Sequence, residues 1–267
     1  MILSNGTSLK VYNEDCFNTL YKMSDDLIDV VLTSPFYNTN KKAGKSRTTK
    51  NVNVKDNQYT YVRYDSFVDN MSNKEYSQFM TNLFNKLYPK LKDNGCILFN
   101  VNYGSENTEC MWLTIASILE NTDFTIADDI IWKKPNALPN SCSSNKLTRI
   151  VEHVLVFCKR KDLKTFHCNK RVTSVRKTGQ KMYENIPNIV EAKNNDGSNP
   201  LNKATYSTEL CEKLLKLYAP LNTKTVVYDP FNGTGTTGMA CKNLNLNYIG
   251  SEMSKEQCDF SIKRWSE

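Results

Sequence analysis

Apolar residues along this chain gather into short runs separated by longer stretches of three-to-four periodicity. Residues 9–12 read as a strand that leads through Asn13-Glu14-Asp15-Cys16 into a helical turn with Phe17, Leu20 and Tyr21 on one side. Residues 28–32 are apolar apart from Asp29, as a parallel strand covered on both faces should be. Ser72 is placed to cap a helix with Tyr76, Phe79, Leu83, Leu87 and Leu91 on one face, Pro89 in its last turn and Asn94-Gly95 as its stop. A buried strand over 96–101, a helix over 110–119 and strands over 124–132 and 151–157 follow. Helical spacing returns at Leu210, Leu214, Leu215 and Leu217 and stops at Pro220. A strand over 225–228, a helix over 237–244, a strand over 247–249 and a short helix close the chain. This strand–helix alternation predicts an α/β fold, a doubly wound and mostly parallel sheet.

Two stretches break the pattern. Residues 38–64 are polar, lack helical period and carry Lys41, Lys42, Lys45, Arg47, Lys50, Lys55 and Arg63. A segment of that length inside a compact domain points to a functional loop or a disordered one. Periodicity also fails over 159–199, where ten cations, among them Lys170, Arg171, Arg176 and Lys177, face the four acids Asp162, Glu184, Glu191 and Asp196. The expectation is one domain over 1–267 with a mobile loop at 38–64 and an inserted region at 159–199.

Composition narrows the partners. The chain has 267 residues, enough to bury a full core. Its apolar runs are far too short for a bilayer, and its first residues lack a basic-then-apolar leader, so a cytoplasmic protein with no membrane partner is expected. Nine cysteines are scattered without a CxxC pair and only His153 and His167 could join them, so no metal site is expected. The net charge of +7 favours a polyanionic partner.

Two turns carry candidate chemistry. The first apolar run breaks off into Ser34-Pro35-Phe36-Tyr37, and a late one breaks off into Asp229-Pro230-Phe231-Asn232-Gly233-Thr234-Gly235-Thr236-Thr237-Gly238. The second has the spacing of a nucleotide-binding strand–turn–helix, in which glycines permit close approach of ligand to backbone and tight packing of helix on strand. Glu252 lies 19 residues beyond Gly233, where a carboxylate at the end of the next strand can bond ribose hydroxyls. An NAD enzyme would open its domain with such a turn, but only 29 residues follow Gly238. The other strands must therefore come from earlier in the chain, in a circularly permuted nucleoside-binding sheet.

The Ser34–Tyr37 turn suits an exocyclic amino group on a planar ring. The amine's lone pair is delocalised into the ring, and acceptors aimed at its two N–H bonds localise it again. The Ser34 hydroxyl and the Pro35 carbonyl are such acceptors, and Tyr37 or Phe36 would stack on the ring. With only its ring face at work, Tyr37→Phe is expected to be nearly neutral. The blander alternative is a strand terminator, since Pro lacks a ladder donor.

These motifs together resemble the SAM-dependent DNA amino-methyltransferases of restriction–modification systems, in the β order that places the catalytic tetrapeptide before the cofactor motif. Ser34-Pro35-Phe36-Tyr37 is similar to Asp/Asn/Ser-Pro-Pro-aromatic with Phe36 for the second Pro, and Asp229–Thr237 is similar to Asp-Pro-Phe-x-Gly-x-Gly-Thr-Thr. Asn13, Asp15 and Cys16 match a segment that lies near the cofactor's adenine, and Lys203 stands where a His is more usual. The resemblance implies SAM held by Asp15, Cys16, Asp229, Phe231, Gly233, Gly235, Thr236, Thr237 and Glu252, with Ser34, Pro35, Phe36 and Tyr37 catalytic. It implies a base flipped out of double-stranded DNA, with 159–199 as target-recognition region and Lys41, Lys42, Lys170, Arg171, Arg176 and Lys177 on the DNA. A homodimer and a cognate restriction endonuclease are carried as further partner expectations. Ser at the first catalytic position is more frequent in cytosine-N4 members, which inclines the reading to cytosine-N4, with adenine-N6 as the alternative. Amino-methylation of RNA or of protein glutamine and an inactive DNA-binding protein are remoter alternatives. Cytosine carbon-5 chemistry needs a Pro-Cys dipeptide, which the chain lacks.

Overall fold

Neighbouring residues of one strand enter two different cores: Val30 and Leu32 join one apolar cluster, and Val31 between them joins another. Cys96 and Leu98 likewise oppose Ile97 and Phe99. Alternation that is apolar on both sides requires cover on both faces of the sheet, which is why these runs show no polar phase in the sequence.

The computed structural model describes residues 1–38, 71–101, 108–137, 139, 144–197, 201 and 205–267. Beyond residue 38 the loop expected over 38–64 lies outside the described residues, with Lys41 and Lys42, and so does Lys203. The chain runs β1 (Leu9–Tyr12), α1 (Cys16–Lys22), β2 (Ile28–Thr33), α2 (Asn73–Lys90), β3 (Leu91–Val101) and α3 (Thr108–Asn121). It continues with β4 (Phe124–Lys133), β5 (Val151–Lys159), β6 (Val172–Val175), β7 (Lys181–Tyr183) and β8 (Ile189–Glu191). It ends with α4 (Thr208–Tyr218), β9 (Val226–Asp229), α5 (Thr236–Leu244), β10 (Asn247–Ser251) and α6 (Lys255–Ser266).

Among the described residues, eight strands form one sheet in the order β1-β10-β9-β2-β3-β5-β4-β8, in which β5 alone runs against the others. Helices α4, α5 and α6 cover one face and α1, α2 and α3 the other. The first strand pairs with the last, Tyr12 opposite Ser251, so the amino terminus completes the sheet beyond the glycine turn. From the central pair β9 and β2, the chain winds outward in opposite directions, to β10 through α5 and to β3 through α2. A crevice opens at such a reversal, outside the carboxyl ends of the strands.

Local signals explain most elements. Ser72 caps α2 in a capping box: its hydroxyl accepts from the Glu75 N–H, and the Glu75 carboxylate accepts from the Ser72 N–H at 2.8 Å. Three expectations need correction. Asn94-Gly95 does not stop α2, which ends at Lys90; the pair sits inside β3, where Asn94 has φ 63 and the pairing with β2 shifts register. Tyr21 is 89% exposed and lies off the buried face of α1. The region 159–199 is not featureless, since it holds a 3-10 turn at Arg160–Asp162, the antiparallel hairpin β6–β7 and the edge strand β8.

Candidate active site

Asp229 ties the two motifs together. It ends β9 with its carboxylate 2% exposed, and accepts from Thr33 Oγ1 at 2.8 Å, Thr237 Oγ1 at 2.8 Å, Phe231 N at 3.0 Å and the Tyr206 hydroxyl at 3.3 Å. Burial pushes its pKa up to about 6, with these hydrogen bonds pulling the other way. Thr33 immediately precedes Ser34, so this carboxylate fixes the catalytic turn of β2 against the glycine turn after β9. An open cleft lies between them, lined by Ser34, Thr205, Tyr206, Asp229, Phe231, Asn232, Gly233, Thr234 and Thr236.

Glu252, at the end of β10, accepts from the Gly233 N–H at 2.8 Å and from the Ser254 N–H at 2.9 Å. Burial raises its pKa, and these backbone donors oppose the rise. Asp15 caps α1 by accepting from Phe17 N at 2.8 Å, and Cys16 is buried, which pushes its thiol pKa upward. The Asn13 amide donates to the carbonyls of Glu252 and Met253 at 3.0 and 2.8 Å, which brings the 13–16 segment alongside Glu252.

Two of the glycines meet a packing demand from the last helix. Gly235 has φ +77, and a β-carbon there would lie 2.8 Å from Ser261 and 2.9 Å from Trp265, both on α6. At Gly238 it would lie 2.4 Å from Trp265. The side chains missing at these positions make room for α6, and Trp265 Nε1 donates to the Gly235 carbonyl at 2.9 Å.

Within the catalytic turn, Phe36 is 8% exposed and meets Tyr76, Phe79 and Phe231 edge-on at 5.1–5.7 Å, so it belongs to the core and not to a stacking surface. Pro35 is buried, whereas Ser34 and Tyr37 are half-buried. The Tyr37 hydroxyl is engaged, contrary to the ring-only expectation: it donates to Asn100 Oδ1 at 3.0 Å and lies 2.7 Å from Ser34 Oγ. Asn100 is the last residue but one of β3; its amide donates to Glu152 Oε2 at 3.1 Å and to the His153 carbonyl at 3.2 Å. Glu152 also receives Lys134 Nζ. Sequence reading gave no role to Asn100, Lys134 or Glu152, and met Thr33 only as the residue that opens the Ser34–Tyr37 turn and Tyr206 only as the last residue of the 202–206 segment that resembles a family motif. Asn100 and Glu152 did leave a signal, each a polar residue close to the end of a buried apolar run, 96–99 in β3 and 154–158 in β5.

The basic residues divide. Lys159 is 3% exposed, bonded to Asp93 and set over the Tyr88 ring; Arg160 donates to the Leu119 and Phe124 carbonyls; Lys161 pairs with Asp93. Lys159 and Arg160 tie this segment to the fold, whereas Lys161 makes an exposed pair. Arg171 pairs with Glu184 across the foot of the β6–β7 hairpin, while Lys170, Arg176 and Lys177 are exposed. The chain entering this hairpin is pinned where His167 N–H meets the Asn94 carbonyl and Asn169 N–H meets the Leu217 carbonyl, at the sheet edge away from Ser34. Lys146 and Arg149, exposed on the β4–β5 connection, lie at the carboxyl edge itself. Among the described residues no group of three or more His, Cys, Asp or Glu is arranged to hold a metal ion, and no helix is long and apolar enough to cross a membrane.

The DNA methylase family model for N6/N4 methyltransferases matches residues 28–263. The Type II methyltransferase M.BglII of Bacillus subtilis is 27% identical over 95% of this chain and 68% of its own length. M2.MboI of Moraxella bovis, also a Type II methyltransferase, is 25% identical over 99% and 90%. Among solved structures, the cytosine-N4-specific PvuII DNA methyltransferase superposes with a TM-score of 0.67 at 18% identity, covering 97% of this chain and 86% of that one. The M1.HpyAVI–SAM complex gives 0.57 at 21% identity, over 96% and 99%. With the Ser34–Tyr37 turn and the glycine turn converging on one cleft, and a family match over nearly its whole length, the chain belongs to the DNA methylase family of SAM-dependent amino-methyltransferases.

Proposed function

We propose that this enzyme methylates the exocyclic N4 of a cytosine flipped from duplex DNA, within a restriction–modification system. The observation that carries the reading is the placement of Ser34 on the wall of the same cleft as Phe231, Gly233 and Thr236. That arrangement sets an acceptor for an amino group beside a nucleoside pocket. The first-position Ser supports cytosine over adenine by the habit of the family, and the hydrogen-bond chemistry suits both bases.

The residues present fit SAM. Thr234 Oγ1 is buried in the cleft lining with no hydrogen-bond partner among the described residues, an unmet polar group of the kind a ligand satisfies. Phe231, Gly233, Thr234 and Thr236 would hold the cofactor, Glu252 would take its ribose on its remaining lone pairs, and Asp15 and Cys16 would flank its adenine. When bound, SAM supplies a sulfonium methyl whose C–S bond breaks as the N–C bond forms, the surplus amine proton leaving to water. Ser34 and the Pro35 carbonyl orient the amine, Tyr37 stacks on the ring, and catalysis rests on positioning. Lys146 and Arg149 at the carboxyl edge, with exposed Arg176 and Lys177 in the turn of the β6–β7 hairpin, would neutralise phosphates.

Mass spectrometry of nucleosides from duplex DNA incubated with protein and SAM tests this. N4-methylcytosine is expected. N6-methyladenine would select the alternative base, and methyl groups appearing only on RNA or on protein glutamine would overturn the reading.

A further inference from the structure

Four adjacent strands contribute to one line of hydrogen bonds along the carboxyl edge of the sheet. Ser34 and Tyr37 follow β2, Asn100 is the last residue but one of β3, Glu152 is the second of β5 and Lys134 follows β4. The direction of every proton in this line can be deduced from its far end. The His153 carbonyl can only accept, and so can the Glu152 carboxylate paired with Lys134, so the Asn100 group facing them at 3.2 and 3.1 Å is its NH₂. Its Oδ1 therefore faces Tyr37 and takes that hydroxyl's single proton at 3.0 Å. With its proton committed, the tyrosine oxygen acts as acceptor in the 2.7 Å contact with Ser34 Oγ, so the serine donates. The serine proton then points away from the cleft, and its lone pairs are left for a donor in the cleft.

We propose that Asn100, anchored by the Glu152–Lys134 pair, is a positioning residue that sets the Ser34 hydroxyl as an acceptor for the substrate's amino N–H. This rests on the reading of Ser34 given above. A serine rotor without such a constraint could as well present its proton to the amine, and a donor there would engage the lone pair that must attack. The anchor is of a kind that stability alone does not favour: side chains of Lys134 and Glu152 are 12% and 8% exposed, and desolvating such a pair offsets much of its attraction. A fixed orientation at its end gives the pair a purpose. The line orients and does not conduct, because the Asn100 amide, accepting from Tyr37 at Oδ1 and donating from Nδ2, is a poor proton relay.

Double-mutant cycles on single-turnover methyl transfer to duplex DNA test the proposal. Tyr37→Phe and Asn100→Ala should each slow transfer roughly 5- to 10-fold, the size of one neutral hydrogen bond, with SAM affinity from calorimetry unchanged. In the Tyr37→Phe background, Asn100→Ala should then cost less than about twofold further, even where the two losses of thermal stability add. Should Asn100→Ala fail to fold, the Ser34→Ala and Tyr37→Phe cycle decides: loss of the tyrosine hydroxyl should be silent once the serine hydroxyl is gone. Rate losses that multiply in these cycles, in an active wild type, would overturn the proposal alone. A wild-type protein that transfers no methyl group to DNA would overturn the functional reading with it.

Discussion

Thr33 Oγ1 and Asp229 Oδ1 lie 2.8 Å apart although 196 positions separate them in the chain. The bond joins the ends of the two central strands at the point where the sheet reverses its winding, so the catalytic turn and the glycine turn share one buried carboxylate. The cleft is in this sense a product of the permuted order: one wall comes from the early part of the chain and the other from the late part.

That carboxylate makes stability depend on pH. The folded pKa of Asp229 is raised from 3.8 to about 6, so its favourable contribution is complete below about 4 and is lost as pH rises through about 6. Asp229→Asn cannot titrate. Denaturant unfolding of both proteins should show wild type losing, relative to the variant, on the order of 3 kcal/mol between pH 4 and 6, and nothing further above that. A constant difference across this window would mean that Asp229 keeps an ordinary pKa.

Gly235 tests what the glycine turn is built for. Gly235→Ala places a methyl group against Ser261 and Trp265 at a left-handed backbone position. It should lower stability by roughly 1–3 kcal/mol through overpacking against α6, read as a fall in Tm. SAM affinity of the folded protein should change less than its Tm implies. An unaltered Tm with SAM binding abolished would instead place the open side of this glycine on the cofactor.

DNA affinity should fall with salt along a log–log slope of about −0.9 per phosphate neutralised. Replacing Arg176 and Lys177 together by Ala should make the slope shallower by about 1.8, twice that unit. The pair is chosen because Arg171 is already matched to Glu184. An unchanged slope would move the DNA-binding face to Lys146 and Arg149 on the β4–β5 connection.

Much of the fold was legible because its strands are apolar on both faces and its helices carry explicit caps. The limits of β1 and the Ser72 cap follow directly from the sequence. Residues 159–199 were not legible, because β6, β7 and β8 are three or four residues long and mostly exposed, too short for alternation to register. At the site, linear motifs located Ser34 and the glycine turn. The partners that orient them lie elsewhere: Asn100 and Glu152 belong to β3 and β5, and only strand pairing brings them to Tyr37. The reason for Gly235 was hidden similarly, since Trp265 reaches it from the last helix.

The central claim is that Ser34 acts on the reacting nitrogen. The most direct measurement is the single-turnover rate of methyl transfer by Ser34→Ala, with SAM and duplex DNA both saturating. The predicted result is a loss of about 100-fold, as for removal of one preorganised polar contact to a reacting group, with both affinities retained. Transfer at the native rate would contradict the account and return Ser34-Pro35-Phe36-Tyr37 to the status of a strand terminator.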